Sequence, residues 1–151
     1  MKFLYASFLL LSLSHFSFAS QPNIRDAIKE DYENHLKSLF VYFHQNPELS
    51  MGEVKTAKRI AQELKGVGFD VFEGIGQTGI VAILKNGNGP TVMMRADMDG
   101  LPIKEDSGLA YASTVEQVDP ITDELRPVMH ACGHDVHITG LVGTARYMQK
   151  N

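Results

Sequence analysis

The amino-acid sequence predicts an α/β fold in which helices pack on a mixed sheet. Three observations support this prediction. Apolar residues recur at helical spacing early in the chain and again near its end. Short apolar runs typical of strands lie between these two regions, as in GIVAILK at 79–85. Turn-forming residues such as NGNGP at 86–90 separate the runs. The predicted order is therefore helix, helix, strands, loop, helix.

Three amphipathic helices are predicted. The first covers 24–46 and ends before Pro47, because the residue that precedes a proline disfavours the helical region. The second covers 52–65 and is followed by glycines. The third begins at His134 or Asp135 and runs to Lys150, with Asp135 as a candidate N-cap. The apolar face of the second helix consists of Ala57, Ile60, Ala61 and Leu64, and that of the third consists of Ile138, Leu141, Val142, Ala145 and Met148.

Three strands are predicted between the second and third helices. FDVFEG at 69–74 alternates apolar and polar residues, whereas 79–85 is nearly all apolar, as in a strand buried on both faces. TVMMRADMD at 91–99 is predicted to be a third strand that ends in polar residues. GIGQTG at 74–79 is interpreted as a turn, since neither a helix nor Lys-Ser/Thr follows it as in a phosphate loop. Residues 103–128 are expected to be rich in loops.

Residues 1–19 predict a secretory signal peptide. Lys2 precedes an apolar run centred on 8–13, and Ser17-Phe18-Ala19 fits a small-x-small cleavage site. An uncleaved membrane anchor is the alternative, but polar residues make the run short for a span of about 20 residues. We therefore expect export to the periplasm or the medium, and no membrane association once the signal is removed.

Composition narrows the function classes further. The net charge is −4 and the chain has no basic block, so nucleic acid is not an expected partner. Only one cysteine is present, which excludes an internal disulfide. That cysteine is therefore a buried thiol, an intermolecular bridge, a reactive group or a metal ligand.

MHACGHDVH at 129–137 is the first candidate site. Thiolate and imidazole are preferred ligands of Zn²⁺ and suit related metals, so Cys132 and His134 are candidate ligands. In an extended segment, residues two apart point the same way. The alternatives are a buried thiol beside an exposed histidine and a thiol enzyme centred on Cys132. His130 and His137 are interpreted as neighbours of the site.

RADMDGLP at 95–102 is the second candidate site. Asp97 and Asp99 follow a predicted strand, at the edge where α/β sheets place ligand sites. One carboxylate can bind a metal, and another can accept a hydrogen bond from a ligand histidine. The alternative is a turn built from Asp, Gly and Pro. His44 is interpreted as a cation at a helix end, and 104–106 as a solvated loop.

The two motifs together resemble a known family. RADMDGLPIKEDSGLAYAS with VMHACGHDVH is similar to the signature of metal-dependent amidohydrolases related to hippurate hydrolase, N-acyl-amino-acid amidohydrolases and auxin-conjugate hydrolases. The resemblance extends back through HQNPELS and TAKRIAQEL. It implies that 20–151 are the N-terminal part of a zinc-exopeptidase-like catalytic domain. In the family, a smaller lid or dimerisation domain is inserted, so the full-length protein is expected to be capable of forming a homo-oligomer.

The resemblance also implies a chemistry and its residues. Cys132 and His134 match the metal ligands, Asp99 the carboxylate that orients the site, and Asp97 the position of a ligand histidine in the wider group. One or two divalent ions, Zn²⁺ or Mn²⁺, would activate water against the amide bond of N-acyl amino acids or small peptides.

The resemblance implies, in addition, that the remaining ligands and the general-base glutamate lie downstream of the cysteine motif. Residues 20–151 are therefore expected to be inactive alone. A non-catalytic metal-binding or interaction module, derived from a truncated hydrolase, is the alternative.

Overall fold

A computed structural model describes residues 23–151, so the predicted signal peptide at 1–19 lies outside the described residues. The described chain contains helices and two small sheets, which confirms the mixed helix and sheet class. Its elements are α1 (Ile24–Asp31), a π-helical turn (Tyr32–Leu36), α2 (Lys37–Gln45), α3 (Val54–Gly66), β1 (Asp70–Ile75), β2 (Gly79–Ile83), β3 (Glu116–Val118), β4 (Leu125–Pro127) and α4 (His134–Lys150).

The first predicted helix forms as one continuous helical run. Its N-terminus is capped by Asn23, whose side-chain oxygen accepts a hydrogen bond from the backbone N–H of Arg25 at 3.1 Å. α1, the π-helical turn and α2 follow one another without a break, and α2 ends at Gln45, before Pro47. The periodicity and the proline therefore predicted both ends of this run.

The N-terminus of α3 is capped by a carboxylate from outside the helix. Glu48 accepts hydrogen bonds from the backbone N–H groups of Lys55 at 3.1 Å and Thr56 at 2.7 Å. These N–H groups have no partner within the helix, and a carboxylate also interacts favourably with the helix dipole. The buried Glu48 thereby fixes the chain that precedes α3.

The core lies where α4 crosses the first helical run and α3. The side chains of Leu39, Phe43, Ile138 and Val142 are almost completely buried there. The predicted apolar face of α3 is buried throughout, whereas Met148 on the predicted face of α4 is 51% exposed. The helical layer is therefore held together by side chains that the periodicity identified, apart from the last turn of α4.

An ion pair reinforces the contact between α1 and α4. The Arg146 guanidinium donates from Nε to Asp31 Oδ2 at 2.8 Å and from Nη2 to Asp31 Oδ1 at 2.6 Å. This hydrogen bonding holds the pKa of the Asp31 carboxyl below its usual value, against the opposing effect of burial. The pair is therefore charged at neutral pH.

β1 and β2 form an antiparallel hairpin, and the residues between them make the predicted turn. Gly76 in this turn and Gly74 at the register shift near the end of β1 have positive φ angles of 61° and 78°, which glycine adopts without strain. The prediction that residues 79–85 are buried on both faces is wrong, because Val81 and Ile83 are 45% and 47% exposed. Among the described residues, α3 covers one face of this hairpin and nothing covers the other.

The predicted strand at 91–99 is also wrong, because this segment carries no strand in the structure. Val92 is 82% exposed and Met93 is 87% exposed. A strand requires a neighbouring strand for its backbone hydrogen bonds, and no described residue supplies one here. The described strands form two antiparallel pairs, β1–β2 and β3–β4, rather than one mixed sheet.

Residues 103–128 are mostly loop, as expected, apart from the short strands β3 and β4. Among residues 23–151, no helix has the length and apolar character that crossing a membrane requires.

Candidate metal centre

The two candidate motifs meet through a short backbone ladder. The N–H of Leu101 donates to the carbonyl of Met129 at 2.8 Å, and the N–H of Met129 donates back to Leu101 at 3.1 Å. Gly100 donates to the carbonyl of Glu48 at 2.7 Å. A Cβ atom at Gly100 would lie only 2.7 Å from a methyl group of Val128, so glycine is required for this approach.

Three potential ligands converge beside this ladder. Asp97, His134 and His137 each offer one ligand atom, and these atoms lie within 4.8 Å of one another. His134 and His137 lie three residues apart in the first turn of α4, and their rings stack with centroids 5.3 Å apart. One carboxylate and two imidazoles are a donor set that suits Zn²⁺, Mn²⁺ and similar divalent ions. The residues present therefore fit a divalent metal.

Asp99 lies behind His134 and orients its ring. Nδ1 of His134 is 2.9 Å from the backbone carbonyl oxygen of Asp99 and 2.9 Å from its carboxylate Oδ1. Both oxygens accept, so Nδ1 carries a hydrogen and Nε2 is the nitrogen left to bind a metal. This geometry is the one in which a carboxylate positions a metal-binding histidine.

Cys132 lies outside the three-residue cluster and is exposed. The interpretation of 132–134 as an extended segment is wrong, because Gly133 has φ of 73° and His134 already begins α4. The assignment of Cys132 as a metal ligand stays a prediction. The prediction that Asp135 is the N-cap is wrong as well, since Gly133 occupies that position and Asp135 lies inside the first turn.

His130 is buried beside the cluster, with 6% of its surface exposed. Neither of its ring nitrogens has a hydrogen-bond partner among the described residues. Burial lowers the pKa of His130, although the nearby Asp135 carboxylate opposes this shift. The ring is therefore held as neutral imidazole. It lies next to the candidate ligands but is not hydrogen-bonded to them.

A shallow groove opens beside the cluster. It combines an exposed guanidinium and apolar side chains with two of the candidate ligands, and Arg95 forms an ion pair with Asp97. Its lining residues are Met94, Arg95, Asp97, Val136, His137 and Gly140. The groove thus offers a cation and an apolar surface next to a metal-binding donor set.

The sequence interpretation underrated His44, which bonds to two carboxylates. Its Nδ1 lies 2.7 Å from Asp135 Oδ2, and its Nε2 lies 3.0 Å from Glu105 Oε1. Burial disfavours the charged ring, but these hydrogen bonds outweigh it and raise the pKa of His44. His44 does lie in the last turn of α2, as predicted, yet a helix end alone does not explain its partners.

The prediction that 104–106 is a solvated loop is wrong for Glu105, which is buried. Its carboxylate accepts hydrogen bonds from the Ser107 hydroxyl and from the backbone N–H of Ser113. Burial alone would raise the pKa of Glu105, but these bonds and His44 lower it. No period or spacing in the sequence distinguishes such a buried carboxylate from an exposed one.

Comparison with known proteins identifies the domain. Residues 93–151, which include both motifs, match the sequence profile described as Peptidase family M20/M25/M40. These residues belong to an M20 peptidase family domain. The M20 match thus begins just before the candidate ligands and includes the whole of α4.

The curated relatives of this domain are a hydrolase and a carboxypeptidase by name. Hippurate hydrolase of Campylobacter jejuni is 43% identical over 119 residues, which are 78% of this chain and 28% of that protein. Thermostable carboxypeptidase 2 of Saccharolobus solfataricus is 43% identical over 110 residues, 72% of this chain and 25% of that protein. The chain therefore spans about a quarter of the length of these curated relatives.

A solved structure shares the fold. The Bacillus subtilis YXEP protein, described as a dinuclear metal-binding peptidase of the M20 family, aligns with a TM-score of 0.68 and 33% identity. The alignment covers 80% of this chain and 32% of that protein. The fold class predicted from the sequence is thereby confirmed for the part of the chain that aligns.

Proposed function

We propose that the protein is a metal-dependent amidohydrolase that cleaves the amide bond of N-acyl amino acids or small peptides. The observation that carries the proposal is the convergence of Asp97, His134 and His137, with Asp99 bonded to the far side of His134. The names of the relatives support a hydrolase that acts on small amides. The chain spans about a quarter of those relatives, so the activity is proposed for the full-length protein.

The metal would be held by His134 together with Asp97 and His137, and the resemblance adds Cys132. We propose Zn²⁺ or Mn²⁺ as the ion, one or two per complete site. When bound, such an ion supplies an activated water with a pKa near ~7 and a Lewis acid for the amide carbonyl. Asp99 contributes by keeping Nδ1 of His134 protonated, which presents Nε2 to the ion.

The groove supports an N-acyl amino acid as the substrate class. Such a molecule has an apolar acyl group and a free carboxylate. Met94 and Val136 offer apolar contacts beside the candidate ligands, and the Arg95 guanidinium offers the geometry that binds a carboxylate. We propose that this groove receives part of the substrate next to the metal.

We also propose that the protein is exported. The support is the sequence of residues 1–19, with its apolar run and small-x-small ending. Mass spectrometry of the mature N-terminus is the test. A first residue of Ser20 is expected, whereas a mature protein that retains Met1 would contradict export by cleavage.

Hydrolysis of hippurate and other N-acyl amino acids by the purified full-length protein tests the function. We expect activity with Zn²⁺ or Mn²⁺, loss of activity with a chelator, and at least 100-fold loss in His134→Ala. Activity that a chelator abolishes but thiol alkylation of the metal-loaded protein does not would exclude a thiol enzyme centred on Cys132.

We propose further that residues 20–151 alone do not catalyse the reaction, although they carry the described part of the site. Metal-dependent hydrolysis by this segment alone would contradict that statement. Zn²⁺ binding by the full-length protein without hydrolysis of any N-acyl amino acid or dipeptide would favour the alternative of a non-catalytic metal-binding module.

A further inference from the structure

His44 is bonded to the start of α4 and to the loop that follows segment 97–101 along the chain. Its Nδ1 lies 2.7 Å from Oδ2 of Asp135, which directly follows His134 in α4. Its Nε2 lies 3.0 Å from Oε1 of Glu105, which follows the segment 97–101 along the chain. One imidazole on α2 therefore ties the residue after His134 to the loop that continues from segment 97–101, without contributing to the three-residue cluster.

The bridge lies in a poorly solvated place. The side chain of His44 is 12% exposed, and those of Glu105 and Asp135 are 1% and 4% exposed. An ionised carboxylate only accepts hydrogen bonds, so two such partners require an N–H on both ring nitrogens. His44 is thus a cation between two anions, and burial makes both hydrogen bonds strong and directional.

Aromatic rings fix the plane of the His44 imidazole. The Phe40 and Tyr111 rings have centroids 5.7 Å and 5.2 Å from it. Of the titratable groups around His44, Tyr111 packs against the ring and His130 is near enough to interact with its charge. The ring is therefore held in one orientation by packing as well as by its two carboxylates.

We propose that His44 is a positioning residue, which holds the histidine-bearing start of α4 and the aspartate-bearing segment 97–101 at a fixed separation. The proposal rests on the proposed function, because it assumes that a metal binds between these segments. Each carboxylate needs a hydrogen-bond donor, and the His44 ring offers one on each side. A glutamine at this position has a donor on one side of its amide and an acceptor on the other, so one of the two carboxylates is left unbonded. The segment that loses this contact is then free to move, and the ligand geometry loosens.

The proposal is tested by the Zn²⁺ affinity of the full-length protein, which is measured by competition with a chromophoric chelator. The variant is His44→Gln, and the matched control is His35→Gln. His35 lies in the same helical run and bonds to one carboxylate, that of Glu63, at 2.8 Å. The thermal unfolding of each metal-free variant is measured in parallel.

We expect both substitutions to lower the melting temperature. Only His44→Gln is expected to weaken Zn²⁺ binding, by about 10-fold, the lower end of the effects seen for residues behind a metal ligand. The affinity of His35→Gln is expected to stay close to that of the wild type. A merely structural role for His44 would change the melting temperature and leave the affinity unaltered.

The outcomes separate this proposal from the proposed function. Wild-type affinity in His44→Gln overturns the positioning role and leaves the metal site standing. Failure of the wild type to bind Zn²⁺ overturns the proposed function, and the positioning role with it.

A second variant covers the case in which His44→Gln does not fold. Glu105→Gln keeps an acceptor oxygen but removes one charge from the bridge. A weaker Zn²⁺ affinity than that of His35→Gln then supports the proposal, and an equal affinity overturns it.

Discussion

The helical layer and the segment 91–99 both carry large apolar side chains, yet these side chains differ in burial. Phe43 and Val142 in the helical layer have no exposed surface, whereas Val92 and Met93 are more than four-fifths exposed. A helix bonds its own backbone and needs only a partner for one face, whereas a strand needs a neighbouring strand for every hydrogen bond. Within residues 23–151, the helices find other helices to pack against, but segment 91–99 has no neighbouring strand.

The two regions are expected to differ most in how much a substitution lowers the free energy of unfolding. Phe43→Ala removes a fully buried ring and should lower the free energy of unfolding by about 3–5 kcal/mol. Met93→Ala, at a position 87% exposed, should change it by less than about 0.5 kcal/mol. Urea unfolding followed by circular dichroism measures both. Equal losses in the two variants would mean that 91–99 is packed in solution.

The ion pair between α1 and α4 should contribute the next largest effect. Asp31→Asn weakens charge-assisted hydrogen bonds to Arg146 and should cost about 1.5–3 kcal/mol. The pKa of Asp31 is lowered in the folded protein, so this contribution is present above the unfolded pKa of 3.8.

The same contribution is lost as the pH falls through the folded pKa of Asp31. The difference in unfolding free energy between wild type and Asp31→Asn should therefore shrink on acidification below about pH 4. A difference that is constant from pH 7 to pH 3 would contradict the ion pair.

Substitutions at two glycines are expected to change the stability in opposite directions. Gly100→Ala places a methyl group 2.7 Å from Val128 and 3.0 Å from Pro47, and should destabilise the fold by about 1–3 kcal/mol. Gly140→Ala meets open space inside α4 and should stabilise it by up to about 1 kcal/mol. Melting temperatures measured by calorimetry distinguish the two. A neutral Gly100→Ala would show that the contact between the two motifs is loose.

The helices could be predicted from the sequence because their period and end signals are local. The apolar faces of α3 and α4, the stop before Pro47 and the turn at 74–79 all follow from neighbouring residues. The strand at 91–99 was mispredicted because its residue pattern is strand-like and pairing is a property of distant residues.

The candidate site was also predicted only in part. The motifs that carry Asp97, Asp99 and His134 were identified from residue chemistry, and the structure brings those residues together. His137 was set aside as a neighbour, although the spacing of three residues on a helix would have placed it beside His134. His44 bonds to Glu105, 61 positions away, and to Asp135, 91 positions away. No pattern among neighbouring residues predicts contacts between such distant positions.

The central claim is that the two motifs form one metal centre at His134. Zn K-edge X-ray absorption spectroscopy of the Zn²⁺-loaded full-length protein and of His134→Ala tests this claim most directly. We predict imidazole scattering in the wild type and a clear loss of that scattering, with weaker Zn²⁺ binding, in the variant. Identical spectra and identical Zn²⁺ affinity in the two proteins would contradict the claim.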